Sequence, residues 1–393
     1  MLVSFYKKNL IKFLEKIEIG SVTVNDDFSK TFGNGEPRAT IEVVSPRFYR
    51  RTLLGGDLGF AESYAKSEWF TDNLTNLISI LILNKEKLSG LNIGWNFMTK
   101  IFARIGHWRR RNTLSGSKRN IQEHYDLSNE MFMTFLDKTM TYSCGFFENK
   151  NDSLYQAQIN KIDKILDKVN LEAGDHLLEI GSGWGALAKR AVDRTGCKVT
   201  TITLSERQYT YVKKLIKEEK LEDNINIELM DFRKMEGAYD KIVSVEMIEA
   251  IGFDLFNPYF AKIESLMKPG GRAAIQAITY PDENYDIYRK GCDFIQKFIF
   301  PGSLLPSVAA MKNSVRLTEM EVEDLERIGP HYATTLSLWN KNFNENIEDI
   351  KKLGFDQYFI NLWNYYFSYC EAGFANSTID DVQLVLKGGK ASA

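Results

Sequence analysis

Cysteine is scarce and scattered in this sequence. Cys144, Cys197, Cys292 and Cys370 show no C-x-x-C spacing, which argues against a zinc site or a disulfide framework and implies a reducing, cytosolic setting. Charge of either sign is not in excess: the net value is −2 over 393 residues, so overall charge identifies no partner. The longest apolar run, Leu77 to Leu83 in LTNLISILILN, falls far short of the ~20 residues of a spanning helix and limits membrane contact to the periphery. The opening MLVSFYKKNLIKFLEKI lacks a small-residue cleavage site and does not read as a signal peptide. Internal repeats and low-complexity tracts are absent. What is present, 44% hydrophobic and 26% charged residues, suffices for a sizeable core and two domains.

The chain is organised around HLLEIGSGWG, His176 to Gly185. Leu177, Leu178 and Ile180 form a short apolar strand, and WGALAKRAVDR reads as a helix, so Gly181, Gly183 and Gly185 occupy a strand-to-helix turn. Such a turn lets a ligand lie against bare backbone at the positive end of a helix. The dinucleotide fingerprint is G-x-G-x-x-G, whereas here the third glycine falls one residue early and Glu179 precedes the first by two. That spacing favours a nucleoside without a pyrophosphate.

Residues 1–115 read as a small α+β domain without obvious chemistry, ending in a basic linker, and residues 116–393 as a second domain that carries the glycine turn. Tyr6, Leu10, Phe13 and Ile17 give the first helix an apolar stripe, which either packs on its own domain or faces a membrane. RATIEVV reads as a strand. From Asn96 to Gln122 there is no acidic residue, while Lys100, Arg104, Arg109, Arg110, Arg111, Lys118 and Arg119 are interleaved with Phe97, Phe102 and Trp108. This is either a solvated linker or a surface for anionic headgroups; no nucleic-acid-binding motif accompanies it. After Ile121, CKVTTITL, NINIELM, YDKIVSVEMI and GGRAAIQAIT are strands with helices between them. The order implies an α/β fold with a doubly wound, mostly parallel sheet and ligands at the carboxyl ends of its strands. Ser205 and Gln208 fit a capping box on the helix SERQYTYVKKLIKEE.

Taken alone, the polar residues His124, Tyr125 and Asp126 could simply precede a helix, and Cys144 could be a small buried hydrophobe. Together, HYDLSNEMFMTFLDKTMTYSCGFFE, LEIGSGWGALA, TITLSERQ, VEMIEAIG, FIFPGSLLPS and GFANSTIDDVQLVL resemble the cyclopropane-fatty-acid synthase family, which includes the mycolic acid cyclopropane synthases. DLGFAESYAKSEWF extends the resemblance into the N-terminal domain, as in two-domain synthases acting on phospholipids.

The resemblance implies a class I methyltransferase that alkylates a cis double bond in an acyl chain with the methyl group of S-adenosyl-L-methionine. A bound bicarbonate would be the base. Its expected ligands are Cys144, Glu249, Tyr332 and the backbone at Ile278, with Gln276 where the synthases carry a histidine. Glutamine can donate a hydrogen bond but cannot accept a proton near neutral pH. IQAITYPDENYDIYRKGCDFIQKFIFPG resembles a branch of the family that carries Gln here, which implies a methyl- or methylene-branched chain as an alternative product. Glu179, Gly181, Ser182, Gly183 and Gly185 would form the cofactor turn, Thr203, Ser205 and Gln208 would lie near its ribose and methionine end, Phe232 and Arg233 would flank the adenine, and Tyr142 and Ser143 would close over the amino-acid end. Without the resemblance, Arg233 reads as a surface charge and Glu249 as a helix-start carboxylate. Tyr280, Tyr285, Tyr288, Phe294, Phe298 and Phe300 crowd one insertion, as core or as an acyl tunnel whose ring faces stabilise a cation.

The first expectation is therefore a cyclopropane-fatty-acyl-phospholipid synthase, cytoplasmic and peripheral to the inner face of the membrane, acting as a homodimer. Its rivals are a fatty-acyl methyltransferase giving a methylene or methyl branch, with a reductase partner in the methyl case, and an amine N-methyltransferase.

Overall fold

The structure, a computed structural model, describes residues 2–88 and 128–389. The basic stretch and His124, Tyr125 and Asp126 lie outside these residues. Two compact units are present: Met1–Arg109 with Lys290–Pro301 and Leu336–Thr378, and Arg110–Arg289 with Gly302–Thr335 and Ile379–Ala393. A single cut near residue 115 thus does not describe the chain, because two later segments belong to the N-terminal unit.

That unit holds α1 (Leu2–Leu14), α2 (Arg47–Ala65), α3 (Leu74–Leu83) and a sheet of β1 (Gly20–Asn25), β2 (Ser29–Asn34), β3 (Arg38–Val43) and β4 (Trp69–Thr71) in the order β2-β1-β3-β4. Helix α1 packs through Leu10 and Leu14, one turn apart; Tyr6 and Phe13 are only half-buried, and the buried Ile17 lies beyond the helix end. The apolar run is α3, capped by the Asn73 side chain accepting from Asn76 N. Ten residues of helix span ~15 Å, about half a bilayer core. No described helix is long and apolar enough to cross a membrane.

The late helix Gln357–Ala375 belongs here because its polar side chains tie it to α2 and α3. Asn361 Nδ2 donates to Ser67 Oγ at 2.9 Å and to Tyr64 O at 3.3 Å, and Glu371 Oε2 accepts from Thr75 Oγ1 at 3.0 Å. The aromatic insertion is divided. Phe294 packs on Tyr365 and Tyr369, and Phe300 on Tyr366, in this unit, whereas Tyr280 and Tyr288 stack at 4.0 Å in the other.

The second unit is built on seven strands: β5 (His176–Ile180), β6 (Lys198–Thr203), β7 (Ile225–Leu229), β8 (Tyr239–Val245), β9 (Met267–Thr279), β10 (Glu321–Arg327) and β11 (Asp380–Lys387). Their order is β10-β11-β9-β8-β5-β6-β7. The five from β9 to β7 are parallel, and β11 runs antiparallel between β9 and β10. Helices α4 (Leu154–Lys168), α5 (Ala186–Thr195), α6 (Glu206–Glu218) and α7 (Phe256–Leu266) cover the sheet, with cores on both faces around Leu178, Ile242 and Ile275 and around Leu177, Val199 and Val243. The chain leaves β5 toward β6 and β7, then returns to place β8 on the other side of β5. The switch point, where ligands bind in open α/β sheets, therefore lies between the carboxyl ends of β5 and β8.

Candidate active site

The glycine turn stands at one side of this switch point. Gly181, Gly183 and Gly185 have φ of 102°, 49° and 90°, a region that side chains other than glycine rarely adopt. Their surroundings differ. A Cβ at Gly185 would press on Leu215 and Val212 of α6 at 3.1–3.3 Å, so this glycine serves helix packing, whereas one at Gly183 would meet nothing within 4 Å. Bare backbone there borders open space, as a nucleoside cradle requires. The amides of Gly181 and Ser182 both donate to Ile202 O, which ties the turn to β6. Buried Glu179 accepts from Thr201 Oγ1 at 2.6 Å, and burial pushes its carboxyl up to about 8.

At the end of β6, Ser205 Oγ caps α6 by accepting from Gln208 N at 3.3 Å. The reciprocal arm of the capping box is rerouted through Thr203: its hydroxyl donates to Gln208 Oε1 at 2.8 Å and accepts from Ser205 N at 3.1 Å. Beyond β7, Phe232 is buried in the core edge-on to Tyr259. Arg233 is not a loose surface charge, because its guanidinium pairs with the buried Asp231. Asp231, which sequence reading passed over, is held well into the ionised range by this pair and by the Arg233 amide, against its burial. Tyr142 packs on Phe132 and Phe135. Ser143 instead faces inward, where its hydroxyl accepts from the buried Lys161 at 2.7 Å and its carbonyl from Gln158.

At the other side, Cys144, Glu249, Gln276, Ile278 and Tyr332 converge, from segments up to 188 residues apart in the sequence numbering. They do not frame a vacant anion site. Glu249 Oε1 accepts from Ile278 N at 2.6 Å, while Glu249 Oε2 is buried without a partner. Burial, then the nearby Glu246 carboxylate, pushes Glu249 up to about 8. Cys144 contributes its amide, not its sulfur. The amide donates to Glu246 Oε1 at 2.8 Å, and the fully buried thiol, raised by desolvation, faces Gly145 O and Ile328 O. Gln276 Nε2 donates to Glu246 Oε1 at 2.9 Å and Tyr332 OH to Glu246 Oε2 at 2.7 Å. The donors expected to hold bicarbonate are thus engaged by the chain's own Glu246, and the residues present do not fit that ion.

Four further groups complete the cluster, none of them singled out from the sequence. Gln276 Nε2 also donates to Asp381 Oδ2 at 2.8 Å, and Gln383 Nε2 donates to Gln276 Oε1 at 3.2 Å. Lys161 supplies a cation whose own pKa is lowered by burial. Burial and the neighbouring carboxylates raise Asp381 far above the usual range and raise Glu246 too, against the pull of its three donors and Lys161. One buried ammonium balances one of the three carboxyls. Glu246, with the most donors, is the carboxyl whose charge is best stabilised, while burial and the neighbouring carboxylates favour the protonated form of Asp381 and Glu249. The sequence signal for Asp381 and Gln383 was their period-two spacing with buried Val382 and Leu384 on β11, which places polar groups inside a core strand.

Residues 113–384 match the family model described as mycolic acid cyclopropane synthetase. The chain is 38% identical over 365 residues to the tuberculostearic acid methyltransferase UfaA1 of Mycobacterium tuberculosis, covering 90% of this chain and 84% of that protein. It is 32% identical over 360 residues to the cyclopropane-fatty-acyl-phospholipid synthase of Escherichia coli K12, covering 91% and 90%. Among solved structures, mycolic acid cyclopropane synthase CmaA1 complexed with SAH and CTAB superposes with a TM-score of 0.65 at 31% identity, over 69% of this chain and 98% of that one. Fold, glycine turn and these matches agree: the chain belongs to the mycolic acid cyclopropane synthetase family and is an S-adenosylmethionine-dependent methyltransferase.

Proposed function

We propose that this enzyme methylates the cis double bond of an unsaturated phospholipid acyl chain and releases a methylene-branched product, which a separate reductase would convert to a methyl branch. The observation that carries this reading is the buried carboxyl cluster around Glu246 and Glu249 at the switch point beside the glycine turn. An alkene is a poor nucleophile, and its methylation leaves a carbocation. The site must align the reactants, exclude water, offer negative charge and accept one proton. S-adenosylmethionine, when bound, supplies the electrophilic methyl group. Gly181, Ser182 and Gly183 would pass it along bare backbone, and Thr203, Ser205 and Gln208 would lie along its ribose. Glu249, protonated and anchored by Ile278 N, would turn Oε2 toward the reacting chain.

Two observations support branching over ring closure. Gln276 stands where the synthases carry histidine, and the relative at 38% identity is named a methyltransferase. Ring closure is the second reading, because the Escherichia coli relative, named a cyclopropane synthase, matches 91% of the chain. A membrane surface would be met through α1, where exposed Val3 and Phe5 adjoin exposed Lys8 and Lys12. The test is gas chromatography with mass spectrometry of lipids from cells that express the chain and contain cis-monounsaturated phospholipids. A methylene-branched acid is the expected product. A ring isomer of equal mass, told apart by retention and fragmentation, would establish the second reading. No new lipid, with methylated amines in its place, would overturn both.

A further inference from the structure

Resting on the proposed double-bond methylation, we infer that Glu246 is a built-in proton acceptor whose carboxylate stands in for the bicarbonate ion, so that this enzyme turns over without bicarbonate. The geometry is that of an anion site already filled. Cys144 N, Gln276 Nε2 and Tyr332 OH, which come from three of the five positions where the resemblance implies bicarbonate ligands, all donate to Glu246 at 2.7–2.9 Å. Of the remaining two, Ile278 N donates to Glu249 Oε1 at 2.6 Å, which occupies that amide and leaves Glu249 Oε2 without a partner. A side-chain carboxylate presents the same planar O–C–O edge as bicarbonate, so one donor set serves either.

The backbone is bent to put it there. Glu246 has φ of 49°, a left-handed conformation that costs a residue with a side chain roughly 1–2 kcal/mol. Just past β8, that turn allows Glu246 N to bond Gln276 O at 2.8 Å while the carboxylate folds back beneath the same Gln276 side chain. A salt-bridge strut would need neither the strain nor three neutral donors. The charged and titratable groups facing Glu246 are Lys161, Glu249, Asp381, Tyr332 and Cys144. Lys161 is their sole cation among the described residues, which keeps one carboxylate ionised.

In the chemical step, one C–H bond of the transferred methyl group breaks. Its proton goes to Glu246 Oε2, which among the described residues accepts only the Tyr332 bond. After a 1,2-hydride shift has moved the cation to the methylated carbon, the electron pair forms the C=CH2 branch; without that shift it closes the ring. Glu246 ends the step as a carboxylic acid and returns the proton to solvent before the next turnover.

Glu246→Gly is the informative variant, because glycine accepts the backbone conformation without strain and leaves the donors in place around a carboxylate-sized gap. Two measurements are made on enzyme loaded with S-adenosylhomocysteine or S-adenosylmethionine. The first is binding of 13C-bicarbonate followed by NMR, which needs no lipid. Glu246→Gly is expected to bind bicarbonate at millimolar concentration and wild-type enzyme not to bind it; binding by wild type, or by neither protein, would overturn the inference. The second is turnover on unsaturated phospholipid vesicles in CO2-free buffer, where wild type should keep full rate and Glu246→Gly should lose about 100-fold, with recovery on adding bicarbonate. A wild-type rate that collapses without bicarbonate, or an unimpaired variant, would overturn it as well. An inactive wild type with the expected binding pattern would count against double-bond methylation while upholding Glu246 as the occupant of the anion site.

Discussion

Gln276 donates from one amide nitrogen to Glu246 at 2.9 Å and to Asp381 at 2.8 Å, so a single neutral side chain holds two buried carboxyls apart. A neutral imidazole carries one N–H and could serve only one of them. Two donors from histidine require the cation, and they leave in opposite directions. Glutamine at this position is therefore matched to Glu246, where the resemblance implies a histidine in the synthases. Where the chain supplies its own carboxylate, a two-donor amide suits the site better than a titrating ring.

Replacing Gln276 with leucine should test that match. The substitution removes both hydrogen atoms and leaves Glu246 and Asp381 each short of a donor, at a cost of about 1–3 kcal/mol in stability. Turnover should fall about 10- to 100-fold as the proton acceptor loses its alignment, while S-adenosylhomocysteine affinity, set at the glycine turn, stays within about threefold. Calorimetry and a methyl-transfer assay separate the two effects; parallel loss of both would mean that Gln276 only supports the fold.

The glycine turn offers a paired comparison. At Gly183 an added methyl group meets open space, so Gly183→Ala carries only the strain of φ 49°, about 1–2 kcal/mol, yet it fills ground assigned to the cofactor. At Gly185 the methyl group meets Val212 and Leu215 at 3.1–3.3 Å with φ 90°. Cofactor affinity should drop more than about tenfold in Gly183→Ala with a small change in melting temperature, and Gly185→Ala should show the larger fall in melting temperature. Equal cofactor binding in wild type and Gly183→Ala would remove Gly183 from the cradle.

The sequence made the scaffold readable because strand and helix periodicities alternate cleanly after Leu154, and because three glycines interrupt that alternation where only a turn fits. Cys144, Glu249, Gln276, Ile278 and Tyr332 were found through ordered motifs, and the fold does bring them together. Glu246 was not found, although it lies three residues before Glu249 in VEMIEAIG. In sequence it is one more acid at the start of a helical turn, and only the positive φ reveals that its side chain folds back. Asp381 and Gln383 reach Gln276 across 105 and 107 residues through the β9–β11 register, a pairing that no local pattern encodes. Lys161 sits on the buried face of α4, where an apolar residue is the default. The late helix joined the N-terminal unit through Asn361 and Glu371, polar contacts that look like surface residues until their partners are known.

Glu249→Gln separates catalysis from cofactor binding. The amide keeps the size of the side chain and an acceptor for Ile278 N, so fold and S-adenosylhomocysteine affinity should be preserved. The acidic proton at Oε2 is lost, and turnover is expected to fall at least about 100-fold. Because burial holds the wild-type carboxyl near pH 8, the rate that depends on its protonated form should decline as pH rises through about 8. A pH–rate profile flat from 6 to about 9 would remove the protonated Glu249 from the mechanism.

Stability should also fall with rising pH, and Glu179 provides the cleanest test because it lies on β5, away from the coupled carboxyls. Its carboxyl is buried against Thr201 and raised from 4.5 to about 8, so between these values the folded chain binds a proton that the unfolded chain has released. The stabilisation is fully present below about 4.5 and is lost as pH rises through about 8, at up to about 1.4 kcal/mol per pH unit for each such group. Glu249 and Asp381 add slope of the same sign. Glu179→Gln keeps an acceptor for the Thr201 hydroxyl but cannot ionise. Denaturant titrations of cofactor-free protein at pH 5, 6.5 and 8 should therefore show a smaller decline for this variant than for wild type, with the two closest at pH 5. Identical slopes would mean that Glu179 ionises in the folded protein as it does in water, and that the cavity beneath the glycine turn is wetter than its packing implies.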